Sequence, residues 1–426
     1  MTVTQTINLI TSGGCDKSFA ALYGGDRVNA QRERWVSLAN SFLTLYGDSE
    51  VYMLSVPGRT ELLGNHTDHN NGKVLAAAVD IDIIAIAAKS EDNYIRIKSE
   101  GYREDVVCIS DISPEKAKKG SSSSVIAGVC DYFLANGGKV GGIRACTTSD
   151  VLTGSGISSS AAFEVMCGNM LNNMYNDNKF TPLFLAMAGK YAENVYFGKP
   201  CGLMDQTACA SGGCSFIDFG GETATLRKIT PDLGDMILCI VNTGGNHADL
   251  TDDYASVPSE MHSCAALMGK KTLREVDENE FISRISVLRA NVGDRAIMRA
   301  LHYFAENRRV DEAVNCLENG DTKGYFACVT DSGNSSFRFL QNVYTNKNVS
   351  EQGLSLALAL TERMGLTCRV HGGGFAGTIQ TYLPVSFKEE YRTRMERVFG
   401  EGSCMFLNIR PFGAALIDGE NIVEAN

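Results

Sequence analysis

Apolar and polar residues alternate through 141–148, as in a half-buried strand. From residue 162 the apolar positions change period, and Ala162, Val165, Met166, Met170 and Met174 recur at helical spacing. A strand therefore gives way to a helix across V-L-T-G-S-G-I-S-S-S-A-A-F-E-V-M-C, residues 151–167. Gly154 and Gly156 permit a turn at positive φ and close approach of backbone to a ligand, while Ser158, Ser159 and Ser160 stand where a helix leaves its first amides unbonded. Unpaired amides at the positive end of a helix dipole make a seat for an anion, phosphate above all. The competing reading is a serine cap after a glycine turn. No lysine follows Gly156, which excludes a Walker A loop. Ser159 occupies the place of the third glycine of a dinucleotide loop, and Asn173 and Asn176 stand where its ribose-binding acid belongs.

Elsewhere the pattern predicts a helix over 28–46, with Trp35, Leu38, Phe42 and Leu45 on one face, and a strand over 51–56, followed by an apolar run over 74–88 without a period of its own. Residues 1–26 carry no clear period, so a lightly docked start is expected. Between the strand and this run lies V-P-G-R-T-E-L-L-G-N-H-T-D-H-N-N-G-K, where Arg59, Asn65, His66, Asp68 and His69 crowd a loop rich in glycine and asparagine. Zinc at His66 and His69 lacks a third ligand of fitting spacing. A serine run at 121–124 heads a helix over 125–134. Thr181 and Pro182 open another, which carries Glu193 in its last turns and stops at Gly198 and Pro200. C-G-L-M-D-Q comes next, at 201–206. Its lone carboxylate, Asp205, is either a helix cap or, near a phosphate donor, an acceptor for a hydroxyl proton. Strands are expected over 214–219 and 236–241, helices through 281–317, and a third glycine cluster, H-G-G-G-F-A-G, spans 371–377. Three consecutive glycines do not serve a strand; close approach of backbone to a ligand explains them better.

At 426 residues two domains are expected, 1–220 and 221–426. The net charge of −11 argues against nucleic acid or an anionic membrane as partner, though not against a phosphate ligand. Apolar runs such as 81–88 are too short to span a bilayer and no signal pattern opens the chain, so a cytoplasmic protein is expected. Fourteen cysteines without C-x-x-C spacing read as buried thiols.

The ordered motifs resemble those of the GHMP small-molecule kinases, and within them the galactokinases. P-G-R-x-x-L-x-G-x-H-T-D-x-N-x-G at 57–72 is similar to the galactokinase signature, G-S-G-I-S-S-S-A-A at 154–162 to the family's ATP loop, C-G-L-M-D-Q to the segment bearing the catalytic aspartate, and G-G-G-F-A-G at 372–377 to the third motif. R-A-L-H-Y-F-A-E-N-R-R-V-D-E-A at 299–313 extends the match. The resemblance implies an α/β fold of two domains, ribosomal-protein-S5-like then ferredoxin-like, with the active site between them. It implies an ATP- and Mg2+-dependent sugar 1-kinase whose partners are a small-molecule sugar and ATP, expected as a monomer. Asp205 and Arg59 would be catalytic. Asn65, His66, Asp68, Gly202 and Tyr254 would bind sugar. Gly154, Ser155, Gly156, Ser158, Ser159, Ser160, Gly373 and Gly374 would bind the nucleotide, and Ser158 or Ser159 with Glu193 the metal.

The chain departs from the family at 257–259, where Val-Pro-Ser replaces a basic cluster, at His371 and Ala376 in the third motif, and at two positions of the first motif that bear on the substrate. Asn65 replaces the glutamate that binds the C6 hydroxyl, and His69 replaces a tyrosine. A neutral amide beside an imidazole suits a C6 carboxylate better than glutamate does. Galactose is the expected substrate, with galacturonate as the alternative. A sugar sensor without turnover is disfavoured, because Arg59, Ser158–Ser160, Glu193 and Asp205 are all present.

Overall fold

The computed structural model describes residues 1–151, 156–199, 201–245 and 250–425. Thirteen strands among them form two sheets: β1 Tyr52–Leu63, β2 Lys73–Ser90, β3 Tyr94–Ser99, β4 Asp105–Cys108, β5 Gly142–Ser149, β6 Cys214–Asp218, β7 Thr225–Ile229, β8 Met236–Asn242, β9 Thr367–His371, β10 Thr378–Pro384, β11 Cys404–Leu407, β12 Ala415–Asp418 and β13 Asn421–Glu424. The larger sheet runs β13-β12-β1-β2-β5-β3-β4, with β6 paired to β2 and β7 to β6; the smaller runs β11-β8-β10-β9. The chain returns to its first sheet at the end, since β12 pairs with β1 antiparallel. With β7 also on the larger sheet, the two sheets do not part at residue 220.

The long apolar run of β2 reflects its central place. Its residues 83–90 pair with β5 and its residues 73–77 with β6, while β1 lies along its other edge. Both faces are covered, so the strand reads as continuous hydrophobicity rather than alternation. Ile84, Ile86 and Ala88 face a layer built from Phe19, Trp35 and Phe42. Ile83, Ala85 and Ala87 face the helices that contribute Val165, Met166, Met170 and Leu185.

The first layer corrects the expectation for residues 1–26. Helices Val3–Thr11 and Asp16–Tyr23 bury Val3, Ile10, Phe19, Leu22 and Tyr23, and a Thr2–Gln5 capping box closes the start. With nine and eight residues these helices are too short to show a period. Helix Val28–Tyr46 stands where its spacing placed it. Ser121 caps helix Ser122–Ala135 and Thr181 caps Pro182–Tyr191, each accepting from the amide three residues on. The second helix ends early, and residues Ala192–Phe197 form a widened π-type turn that stops at Gly198.

Helix Ile285–Glu318 bends at Gly293 and then lies against the 64–73 segment. Glu306 Oε1 accepts from the Gly64 amide at 3.1 Å, His302 Nε2 meets the Asn65 carbonyl at 3.0 Å, and Asn307 Oδ1 accepts from the Lys73 amide at 2.8 Å. The 299–313 motif thus holds the loop between β1 and β2. Among the described residues no helix is long and apolar enough to cross a membrane.

Candidate active site

The site starts from an irregularity in β1. Pro57 faces Asp82 on β2, but Arg59 faces Ala78, so the register slips between them and re-aims the arginine. Gly58 makes room for the neighbouring loop, because a Cβ there would lie 2.8 Å from Ile157 Cγ2. The Arg59 amide donates to the Ile157 carbonyl at 3.2 Å, and Arg59 Nη1 donates to the Gly156 carbonyl at 2.6 Å. Its other nitrogens grip Asp205 as a fork, Nε to Oδ1 and Nη2 to Oδ2, both at 2.7 Å.

Asp205 lies in the first turn of helix Met204–Ser211, where the dipole favours a carboxylate. It also accepts the Ser158 hydroxyl. Burial pushes its carboxyl up, but the Arg59 guanidinium and these hydrogen bonds outweigh burial and hold it below the usual carboxylate range. The serine-cap reading fails at Ser158, whose side chain makes no cap bond. The residue is left-handed at φ 59°, and its hydroxyl points away to Asp205. A non-glycine residue held there is strained, and such strain collects at functional sites.

On the other side of Asp205 lies a polar pocket lined by Asn65, His66, Asp68, His69, Gly202, Tyr254 and Gly373. A Cβ at Gly202 would collide with the Asp68 carboxylate, and one at Gly373 with the Tyr254 ring. Both glycines therefore permit close packing at the pocket wall. His66 is 5% exposed at φ 60°. Burial pulls its imidazole down to about 3, with His69 adding to the effect, so the ring is neutral. Its Nε2 meets the Gly373 carbonyl at 3.0 Å and must carry the proton, which leaves Nδ1 as a buried acceptor without a partner among the described residues.

Asn65 is spent within the protein. Its Nδ2 donates to Glu61 Oε1 at 3.1 Å and to the Gly372 carbonyl at 2.8 Å, while Oδ1 accepts from Asn342 Nδ2 at 2.8 Å and Ser336 Oγ at 3.3 Å. Gly373, expected on the nucleotide side, lines this polar pocket, and Gly374 packs behind it against Asn342. The Gly373 carbonyl receives His66 and Asn342, and Gly374, at φ 79°, has no room for a Cβ beside the Asn342 carbonyl. Gly154 and Ser155 lie outside the described residues.

Beyond Arg59 and Asp205, Ser159, Ser160 and Glu164 line a second cavity of ≈ 850 Å³, walled by Ile83, Tyr102, Val125, Val151, Phe163 and Phe197. Glu193, on the widened turn, faces Lys199 Nζ at 3.2 Å and accepts from Gln206 Nε2 at 3.2 Å. The same amide donates to Glu164 Oε2 at 2.9 Å, and Glu164 Oε1 is buried with no partner among the described residues. Burial, then Glu193, pushes the Glu164 carboxyl well up. Glu164, Lys199 and Gln206 were not among the residues expected from sequence. A readable signal existed for Glu164, a carboxylate on the apolar face of A-A-F-E-V-M. For zinc, no group of three His, Cys, Asp or Glu side chains fit to hold a metal occurs among the described residues.

Comparison with known proteins fits this geometry. Residues 40–89 match the galactokinase galactose-binding signature and residues 124–213 the GHMP kinases N terminal domain. Galactokinase from Streptomyces coelicolor is 31% identical over 352 residues, covering 80% of this chain and 87% of its own. The chain belongs to the galactokinases of the GHMP kinase family. Galactokinase from Clostridium tetani is 29% identical over 85% of this chain and 93% of its own. The fold of this kinase is that of Lactococcus lactis galactokinase, solved as a complex with galactose, with a TM-score of 0.76 at 23% identity over 88% of this chain and 97% of that one. Mevalonate kinase from Methanococcus jannaschii shares it at a TM-score of 0.60 and 13% identity over 85% and 99%. The protein is accordingly a sugar kinase of mixed α/β fold that uses ATP.

Proposed function

We propose that this kinase transfers the γ-phosphoryl group of ATP to the anomeric C1 hydroxyl of galactose. The observation that carries the reading is the Arg59–Asp205 fork, which sits between the serine-led helix and the polar pocket and touches both. Phosphoryl transfer asks for positioning and charge neutralisation more than for covalent chemistry. Asp205, held ionised by Arg59, is a weak base; it accepts the hydrogen bond of the incoming hydroxyl and aims its oxygen. Arg59 neutralises charge on the group in transfer. Ser159 and Ser160 bring the unbonded amides of their helix start to the phosphates, and the apolar walls of the larger cavity take the base.

The donor set suits a divalent cation. Glu164 and Glu193 both accept from the Gln206 side-chain amide, Glu193 also faces Lys199, Glu164 Oε1 is buried and unpartnered among the described residues, and all the ligating atoms on offer are hard oxygens. Magnesium, when bound with the nucleotide, would neutralise phosphate charge. Glu193 with Ser159 would hold it, since the Ser158 hydroxyl is taken by Asp205.

In the sugar pocket, His66 Nδ1 is an acceptor awaiting a hydroxyl and the Asp68 carboxylate is another, which supports an axial C4 hydroxyl as the recognised feature. The pocket lining holds Glu61, Asp68, Glu193 and Asp205 against Arg59 and Lys199. That excess of negative charge, together with the spent amide of Asn65, favours a neutral hexose over a sugar acid. The test is ADP release across galactose, galacturonate, N-acetylgalactosamine, arabinose and glucose, with the product's phosphate position read by NMR. Preferential turnover of galacturonate would end the galactose reading. Undiminished turnover by Asp205→Ala would remove that residue from its role.

A further inference from the structure

The match to the galactose-binding signature begins at residue 40, yet the segment before it is tied to the sheet by charge as well as by packing. Asp82, fully buried on β2, receives Arg34 Nη1 at 2.7 Å, Arg410 Nη1 at 2.9 Å, Tyr23 Oη at 2.7 Å and the Ser55 hydroxyl. Two guanidinium groups around one carboxylate leave a positive charge to be balanced. Asp150 supplies the balance, its Oδ2 3.1 Å from Arg34 Nη1. Its amide donates to the Asp82 carbonyl at 3.0 Å, and Arg34 Nη2 donates to that carbonyl at 2.9 Å and to Thr148 at 3.4 Å. Asp150 comes directly after β5 and precedes residues 152–155 of the glycine–serine loop by two positions. Its neighbours Ser149 and Val151 both line the larger cavity.

We propose that Arg34 and Asp150 are positioning residues for the nucleotide: through one guanidinium, helix Val28–Tyr46 fixes Ser149 and Val151 in the wall of the larger cavity. The inference rests on that cavity being the nucleotide site. A cavity wall that is set before the ligand arrives does not charge its ordering against affinity. Arg34 reaches Asp82, Thr148 and Asp150 together only because a guanidinium is a fork of several donors, which an ammonium is not. Asp150 is the mild place to cut, since its side chain is 39% exposed and Arg34 keeps Asp82 when it is lost.

Fluorescence titration of the full chain with mant-ADP tests this, on wild type, Asp150→Ala, Arg34→Lys and Asp16→Ala. Asp150→Ala is expected to bind mant-ADP about fivefold more weakly, the equivalent of ~1 kcal/mol for a half-exposed ion pair. The KM for ATP should rise by the same factor while kcat, the KM for sugar and Tm hold. Arg34→Lys should weaken mant-ADP in the same direction. Asp16→Ala breaks the Arg32–Asp16 pair of the same N-terminal segment with the same change of charge, and should bind as wild type. Wild-type affinity in Asp150→Ala overturns the proposal. So does a parallel loss in kcat, sugar KM and Tm, which marks a purely structural contact. Wild type that binds no mant-ADP would instead overturn the reading of the cavity itself.

Discussion

Replacing Asn65 by aspartate keeps its shape and removes its two donors, and the surrounding groups determine the cost. Glu61 Oε1 and the Gly372 carbonyl each lose an N–H, at about 1 kcal/mol apiece, so ~2 kcal/mol goes with the bonds. The new carboxylate would also stand beside Glu61, whose own carboxyl is already pushed up by burial. At an effective dielectric of about 20, two charges about 3 Å apart repel by roughly 5 kcal/mol, so the site keeps a proton instead. A group whose folded pKa is raised contributes stability that is complete below its unfolded value, about 4 for an aspartate, and loses it as pH rises towards the folded value. The gap between wild type and Asn65→Asp should therefore widen with pH, by about 1.4 kcal/mol per unit over that window. About 2 kcal/mol near pH 4 would grow to ~7 at pH 8, a large part of a typical domain's ~5–15. Urea unfolding followed by circular dichroism at pH 5 and pH 8 measures it. A gap that is absent, or that narrows as pH rises, would mean the amide faces the sugar and not Glu61, and a C6 carboxylate would again be an acceptable ligand.

The remaining outcomes are read in the ADP-release assay. Asp205→Asn should lower kcat by about 100-fold or more, and because Arg59 holds the wild-type carboxyl below its usual range, kcat/KM should show no ionisation of this group from about pH 6 to 9. A wild-type titration near pH 7 that disappears in Asp205→Asn would contradict that. Lys199→Met removes a cation beside Glu193 and should cost kcat about tenfold with the sugar KM retained; an unchanged kcat would mean that the Lys199–Glu193 pair has no part in the transfer. Gly202→Ala drives a methyl into the Asp68 carboxylate and should raise the sugar KM by at least about tenfold, the equivalent of ~1–3 kcal/mol of overpacking, with the KM for ATP unmoved. Equal shifts in both KM values would place the damage in the fold rather than the sugar wall.

Much of the frame was open to reading because it rests on local chemistry. A repeat of about 3.6 residues marked the helix at 28–46, Thr181 with Pro182 marked a helix start, and the alternation through 141–148 marked β5, whereas the apolar run at 74–88 was legible only as a run. The pairing of β12 with β1 was not open, because that partner lies at the far end of the chain and no local pattern names it. The two N-terminal helices escaped for a different reason: each shows only a turn or two, and their purpose lies in Asp82 and the β2 face that they cover.

The site divides along the same line, between which residues gather and what each of them faces. Arg59, Asp205, His66 and Asp68 could be named from their motifs, and the structure brings them to one cleft. Direction could not be named. Asn65 belongs to the pocket by position, but its amide is consumed by Glu61 on the preceding strand and by Gly372, Ser336 and Asn342 from distant parts of the chain. Ser158 has the hydroxyl a metal would take, yet a left-handed backbone turns it towards Asp205. In both cases the side chain's chemistry was legible and its partner was not, since the partner is set by packing between elements that the sequence keeps apart. A substitution at such a position changes the support of the pocket before it changes the ligand, so specificity here has to be sought at groups with an unfilled bond, His66 Nδ1 first among them.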